Sequence, residues 1–248
     1  MRFDPPLSPG RLLKRYKRFL AGVVLDDGSE VVAHCANSGS MLGLAQPGSR
    51  IWLSRNTNPR AELEWRWERV EDDGVWVGIN TSRPNALVAQ AIAEGALPEL
   101  AGYATLRREV PYGRGSRIDI LLQGPDRPLA YVEVKSVTLR RREVGTQDAD
   151  PDAAAFPDAV TVRGAKHLGE LAAVARAGGR AVMLYLAQRS DCRRFRLAAD
   201  LDPAYAAAFR SARAAGVEAL CYDCTLSPHE IRIRGSLPVI EPPAALGL

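Results

Sequence analysis

The sequence predicts a two-domain protein of mixed α+β and α/β class: a β-barrel over residues 1–82, then an αβββαβ domain over residues 83–248. Three observations carry that expectation. Residues 10 to 81 hold short alternating apolar runs separated by glycine-containing turns, the pattern of half-buried strands. The composition changes at Ser82-Arg83-Pro84. Beyond that point, segments with helical spacing are interleaved with strand-like runs.

Taken in order, 'LLKRYKRFLAGVVL' has no helix cap and ends in the turn Asp26-Asp27-Gly28 before 'EVVAHC', which is a hairpin signal. 'SRIWLSR', 'LEWRWERVE' with its alternating Trp65 and Trp67, and 'VWVGINT' after Asp72-Asp73-Gly74 supply three further strands. Five short strands with glycine-rich turns suit a small barrel, and the OB-fold is its natural form. Cys35 to Met41 reads as a loop between barrel strands, and His34 reads as a structural residue. In the second region 'NALVAQAIAEGALPEL' places Leu87, Ala91 and Ile92 at helical spacing, with Asn85 as N-cap. 'YATLRREVPYG', 'RIDILLQ' and 'LAYVEVKSV' follow as three strands. 'RRREVGTQDADPDAAA' is polar and lacks periodicity, so it reads as a flexible insertion. 'RGAKHLGELAAVARAGG' is a helix with Leu168, Leu171, Ala172 and Ala175 on one face, ended by Gly178-Gly179. 'RAVMLYLAQ' is a buried strand, 'PAYAAAFRSARAAG' a helix and 'VEALCYDCTL' a strand. The order αβββαβ is the core of the restriction-endonuclease-like fold.

Composition excludes several classes. At 46% hydrophobic and 25% charged residues, the chain has the apolar mass for a core. No apolar run reaches the length of a membrane span, and the start lacks the apolar core of a signal peptide. Four cysteines without framework spacing suit a reducing compartment, so a cytoplasmic location is expected and a membrane partner is not. Cys221 and Cys224 lie on a strand without a second pair or a nearby His, and read as structural. The formal charge of +4 decides little, but its distribution says more. Lys14, Arg15, Lys17 and Arg18 crowd the first hairpin, interleaved with Tyr16 and Phe19, as on surfaces that follow a phosphate backbone. Arg107, Arg108, Arg114 and Arg117 lead into the second strand group, and Arg140-Arg141-Arg142 leaves it.

Between these clusters lie Asp119 and, on the next strand, Glu133-Val134-Lys135. Glu133 and Lys135 are two apart and share one strand face, with Asp119 within reach across the hairpin. Two carboxylates with an ammonium at a sheet edge match the signature of the PD-(D/E)xK nucleases. Asp119 and Glu133, with the backbone carbonyl of Val134, are the expected ligands of Mg²⁺ (or Mn²⁺), and Lys135 is expected to orient a water or stabilise developing charge. Lys166 and His167 open the following predicted helix, where backbone N–H groups favour a phosphate; a solvated surface pair is the equal alternative.

The chain resembles the sugar fermentation stimulation protein A family from Phe3 to Val239. 'LLKRYKRFLA', 'HCANSGSMLG', 'SRIDILL', 'YVEVKSVTL', 'FPDAV', 'RGAKHL' and 'SLPV' carry the likeness. The resemblance implies an OB-fold-like domain, a nuclease-like domain, DNA binding and a regulatory role in sugar (maltose) metabolism. It places Asp119, Glu133 and Lys135 on the nuclease-like motif. Against the family pattern, Arg140 to Ala154 is expected as an added loop. Gln90 stands where a helix glutamate is expected, with Glu94 one turn on as its replacement. Three readings stay open: a Mg²⁺-dependent nuclease, a non-catalytic DNA-binding regulator, and a module for RNA or another polyanion. No helix-turn-helix pattern supports operator recognition.

Overall fold

The computed structural model describes residues 1–58, 60–113, 115–141 and 150–241. Arg114, Arg142 and residues 242–248 lie outside the described residues. The first region contains β1 (Ser8–Tyr16), β2 (Leu20–Leu25), β3 (Glu30–Cys35), β4 (Arg50–Arg55), β5 (Trp65–Asp72) and β6 (Val75–Gly78). β1 pairs antiparallel with β2 and β4, β2 with β3, and β4 with β5. A parallel β3–β5 pairing closes the circle, so the expected OB barrel is present, with β6 added to β5. Alternate side chains fill it: Leu12, Val23, Ile51, Leu53 and Trp67 are all fully buried. Removing each large apolar side chain from water contributes about 1.5–3 kcal/mol.

'LLKRYKRFLAGVVL' reads as one strand but is two. The chain reverses between β1 and β2 at Lys17–Phe19, where Lys17 and Arg18 adopt φ of 48° and 64°. Glycine or asparagine usually marks that left-handed conformation, and neither is present here. The β5–β6 turn does carry the expected marker, with Asp73 at φ 55° and Gly74 at φ 77°.

The second region contains α1 (Pro84–Ala93), β7 (Thr105–Tyr112), β8 (Ser116–Gly124), β9 (Arg127–Val137), β10 (Leu139–Arg141), β11 (Asp150–Phe156), α2 (Val162–Arg176) and β12 (Arg180–Ala187). It continues through β13 (Arg194–Leu197), α3 (Pro203–Ala214), β14 (Glu218–Ser227), β15 (Glu230–Ser236) and β16 (Val239–Ile240). The main sheet runs β15-β14-β12-β9-β8-β7. β7, β8 and β9 form an antiparallel meander, and β12 lies parallel between β9 and β14. The αβββαβ order is therefore as expected. Val182, Leu184 and Leu186 of β12 pack on the α1 side, while Met183, Tyr185 and Ala187 pack toward α2 and α3. A central parallel strand buried on both faces reads as a continuous apolar run for that reason.

Two readings need correction. Asn85 does not cap α1: Arg83 occupies the N-cap with no side-chain bond, and Pro84 supplies the first turn. The segment read as a flexible insertion, and as an added loop over Arg140 to Ala154, has strands at both ends. β10 and β11 pair with each other, and with β13 and β16 they make a second, four-stranded sheet. Ala153, Ala154 and Ala155 are buried there. The polar positions are matched in pairs: Arg140 Nη1 lies 2.6 Å from Asp191 Oδ2, and Arg194 Nε 2.8 Å from Asp150 Oδ2. Long-range charge pairing thus replaces the local alternation that would have revealed strands. Residues 142–149, the middle of that segment, lie outside the described residues.

The barrel and the main sheet are joined by more than the connecting chain. Residues at the N-terminus run along the β14–β15 hairpin, with Met1 N 2.8 Å from Ile231 O and Phe3 N 2.7 Å from His229 O. Among the described residues, no helix is long and apolar enough to cross a membrane.

Candidate active site

β8 and β9 pair Leu121 with Tyr131 and Ile120 with Val132, so one step further Asp119 stands opposite Glu133. On β9, Val132 and Val134 pack toward α1, which leaves Glu133 and Lys135 on the α2 face. On β8 the alternation breaks at Asp119: Ile118 packs with the α2-side core, but Ile120 and Leu122 pack with the α1-side core. Across the β7–β8 ladder Glu109 takes φ 53°, between the pairs Arg108–Ile120 and Val110–Ile118. A non-glycine residue held left-handed is a strained position of the kind that clusters at functional sites. At this kink the Val134 amide donates to Asp119 Oδ2 (2.8 Å), and Asn85 Nδ2 of α1 donates to Oδ1 (2.6 Å).

Glu133 is 2% exposed. Its Oε1 accepts from Lys135 Nζ at 2.7 Å and from His167 Nδ1 of α2. Arg163 Nε donates to His167 Nε2 at 3.3 Å, so the imidazole carries its hydrogen on Nδ1, toward the carboxylate. Glu133 Oε2 is buried with no hydrogen-bond partner among the described residues. A bare carboxylate oxygen in the interior is costly and calls for a ligand. Burial first, and then the charge of Glu133, push the Asp119 carboxyl up to about 6. Burial works to raise Glu133 as well, but the hydrogen bonds and charges of His167 and Lys135 outweigh it and hold that carboxyl below its ordinary value.

These groups form one wall of a cavity of about 770 Å³ whose other wall comes from the barrel: Arg15, Arg18 and the loop 37–40. Arg15 Nη2 donates to the carbonyls of Asn37 (2.8 Å) and Gly39 (3.1 Å) and so shapes that loop. The loop crosses to the segment after β11, where Asp158 Oδ2 accepts from the Met41 amide (3.0 Å) and the Asp158 carbonyl accepts from Ser40 Oγ (2.7 Å). A Cβ on Gly39 would lie 2.7 Å from Asp158 Oδ2, so a side chain there would push that carboxylate away from Ser40 and Met41.

A family model described as the sugar fermentation stimulation protein RE domain matches residues 82–230, and one described as the SfsA N-terminal OB domain matches residues 13–79. The chain belongs to the sugar fermentation stimulation protein family. It is 58% identical to a sugar fermentation stimulation protein homolog of Rhodospirillum centenum, covering 96% of this chain and 98% of the relative. It is 55% identical to the homolog of Jannaschia sp., over 99% of each. A solved structure, that of Pyrococcus furiosus SfsA in complex with Ca²⁺, superposes with a TM-score of 0.85 at 28% identity, covering 97% of this chain and 98% of that one.

In this family member the structure brings Asp119, Glu133, Val134, Lys135 and His167 together around one cavity, with Arg15 and Arg18 opposite. Lys14, Lys17 and Lys166 do not line it. Lys14 lies over the Tyr16 ring at 5.6 Å, Lys17 sits in the turn, and Lys166 is 3.7 Å from Glu170. α2 begins at Val162, so Lys166 and His167 sit in its second turn and point in different directions: His167 is buried, Lys166 exposed. Gln90 and Glu94 bond to each other on the exposed side of α1 (2.8 Å), away from the cavity. From α1 it is Asn85 that bonds to the acidic pair, with Pro84 beside it in the cavity wall. Sequence reasoning missed Asn85, Arg163 and Asp158 as site residues. For Asp158 a signal existed, because 'HCANSGSMLG' and 'FPDAV' both carried the family likeness without any assigned chemistry.

Proposed function

We propose that this protein binds nucleic acid, DNA foremost, and hydrolyses phosphodiester bonds with a divalent cation, Mg²⁺ or Mn²⁺. The observation that carries this reading is the buried, unpartnered Oε2 of Glu133 beside Asp119, a pair of carboxylates whose mutual repulsion a cation would relieve. Hard cations take oxygen ligands, so the donor set of Asp119, Glu133 and the Val134 carbonyl fits Mg²⁺ or Mn²⁺. The Ca²⁺ in the Pyrococcus furiosus relative supports a divalent site in the same fold. When bound, the cation would lower the pKa of a water and neutralise charge on the phosphate.

The chain's own groups divide the remaining work. His167 orients Glu133 through Nδ1–H, and Asn85 with the Val134 amide orients Asp119. Lys135 presents its ammonium at the rim of the pair, where it can hold an attacking water or a phosphate oxygen. Arg15 and Arg18 supply positive charge across the cavity for the flanking phosphates. Hydrolysis joins the water oxygen to phosphorus and breaks the bond to the leaving oxygen, which takes up a proton.

A second reading, a DNA-binding regulator of sugar metabolism with little chemistry, draws on one observation. Among the described residues no group of three or more His, Cys, Asp or Glu side chains is arranged to hold a metal. Incubating the purified protein with single- and double-stranded DNA and RNA, under Mg²⁺, Mn²⁺ or EDTA, separates the readings. Metal-dependent cutting that disappears in Asp119→Ala supports the nuclease. Intact substrates in a salt-sensitive complex support the regulator.

A further inference from the structure

We infer that the cavity admits a single strand of nucleic acid and excludes an intact duplex; this rests on the proposed nucleic-acid reading of the same site. The first ground is the bridge across the cavity. Ser40 and the Met41 amide of the barrel loop are held by Asp158 of the second region, 118 and 117 residues away in sequence, at 2.7–3.2 Å. Arg15 fastens the same loop from the barrel side at Asn37, Gly39 and Ser40. At Gly39 the loop lies close against the Asp158 carboxylate, which an added methyl group would displace. A duplex laid on β9 would have to break this bridge. An unpaired strand could pass beneath it.

The second ground is size. A cavity of about 770 Å³ falls in the range that encloses a small ligand, roughly 300–1,000 Å³. The cavity is open to solvent on one side, and its volume at the level of the acidic pair suits a nucleotide or two. The third ground is the chemistry of the walls. Arg18 and Arg163 provide cations for a single phosphate backbone, and Phe156 and the 70% exposed Val160 provide apolar surface for base faces. The acidic pair is at the floor, with Glu133 2% exposed, so the backbone itself must enter the cavity to bring a scissile phosphate to it.

The test measures binding as well as cutting. A short fluorescent strand is titrated with the full-length protein in EDTA, alone and as a blunt duplex. The single strand is expected to bind at least about tenfold more tightly, a difference of about 1.4 kcal/mol. Asp158→Ala and, separately, Ser40→Ala free the loop, and both are expected to shrink that ratio toward unity while thermal melting shows a folded protein. Should either variant fail to fold, the wild-type ratio alone decides. Equal affinity for strand and duplex in the wild type would overturn the inference, as would a ratio unchanged in both folded variants. Failure of the nuclease reading looks different: no substrate is cut with Mg²⁺ or Mn²⁺, yet the strand preference persists.

Discussion

The two oxygens of Glu133 are in opposite situations, one doubly donated to and the other bare. Lys135 and His167 therefore do more than sit nearby. They fix the rotamer that aims Oε2 and keep the carboxyl ionised against its burial. Residues that orient a metal ligand in this way typically change affinity by about 10–100-fold when removed. His167→Ala is accordingly expected to weaken Ca²⁺ or Mn²⁺ binding, measured by titration calorimetry, by a factor in that range. His167→Asn puts an N–H close to the position of Nδ1 and should retain more of the affinity. If both variants bind as the wild type does, the imidazole is not the positioning group. Asn85 plays the matching part for Asp119, and its story shows how a local rule is overridden. An Asn before a helical run normally caps it, but here Pro84 already supplies a rigid first turn and the amide is free to reach across to β8.

At the scale of elements, the β1–β2 hairpin divides its four cations, Lys14 and Arg15 by strand alternation and Lys17 and Arg18 by the turn. Arg15 and Arg18 line the cavity, whereas Lys14 and Lys17 do not. Binding of single-stranded DNA should therefore fall much further in Arg15→Ala/Arg18→Ala than in Lys14→Ala/Lys17→Ala. The salt dependence, log Kd against log salt, should flatten by about 0.7 per lost phosphate contact only in the first pair. Equal losses in the two pairs would mean that the outer face of the barrel, not the cavity, carries the backbone. The same hairpin marks the limit of sequence reading. The strands carrying Asp119, Glu133 and Lys135 were legible because alternation and a short polar turn encode them locally. The reversal at Lys17–Phe19 was not, because cationic residues hold the left-handed turn and leave no glycine signal. β11 was hidden in a polar stretch whose charges are satisfied by Arg194 from far along the chain. The contact of Ser40 with Asp158 has no local period at all, so only the fold could place the barrel loop over the site.

At the scale of the whole molecule, the site exists only while the barrel and the main sheet keep their relative position, because each supplies one wall. Arg189 is a central tie. It is 1% exposed and donates to Asp72 of β5 (2.9 Å), to the Thr138 carbonyl beside β9 (2.9 Å) and to Asp191 (2.6 Å). Burial by itself would raise the Asp191 carboxyl, but the guanidinium of Arg189, joined by Arg140, reverses that and lowers it from 3.8 to about 2. A carboxyl depressed on folding contributes stability that is complete above its unfolded value and is lost as pH falls through the folded one. The window here runs from about pH 4 down to about pH 2, and the linked contribution is about 2 kcal/mol. Urea denaturation of the wild type across that window should show this loss as an extra slope that Asp191→Asn lacks. The variant should be less stable at neutral pH, because among the described residues Arg189 then keeps only Asp72 as an ion-pair partner. Parallel stability curves for the two proteins from neutral pH down to pH 2 would show that Asp191 is not the group whose ionisation holds the tie.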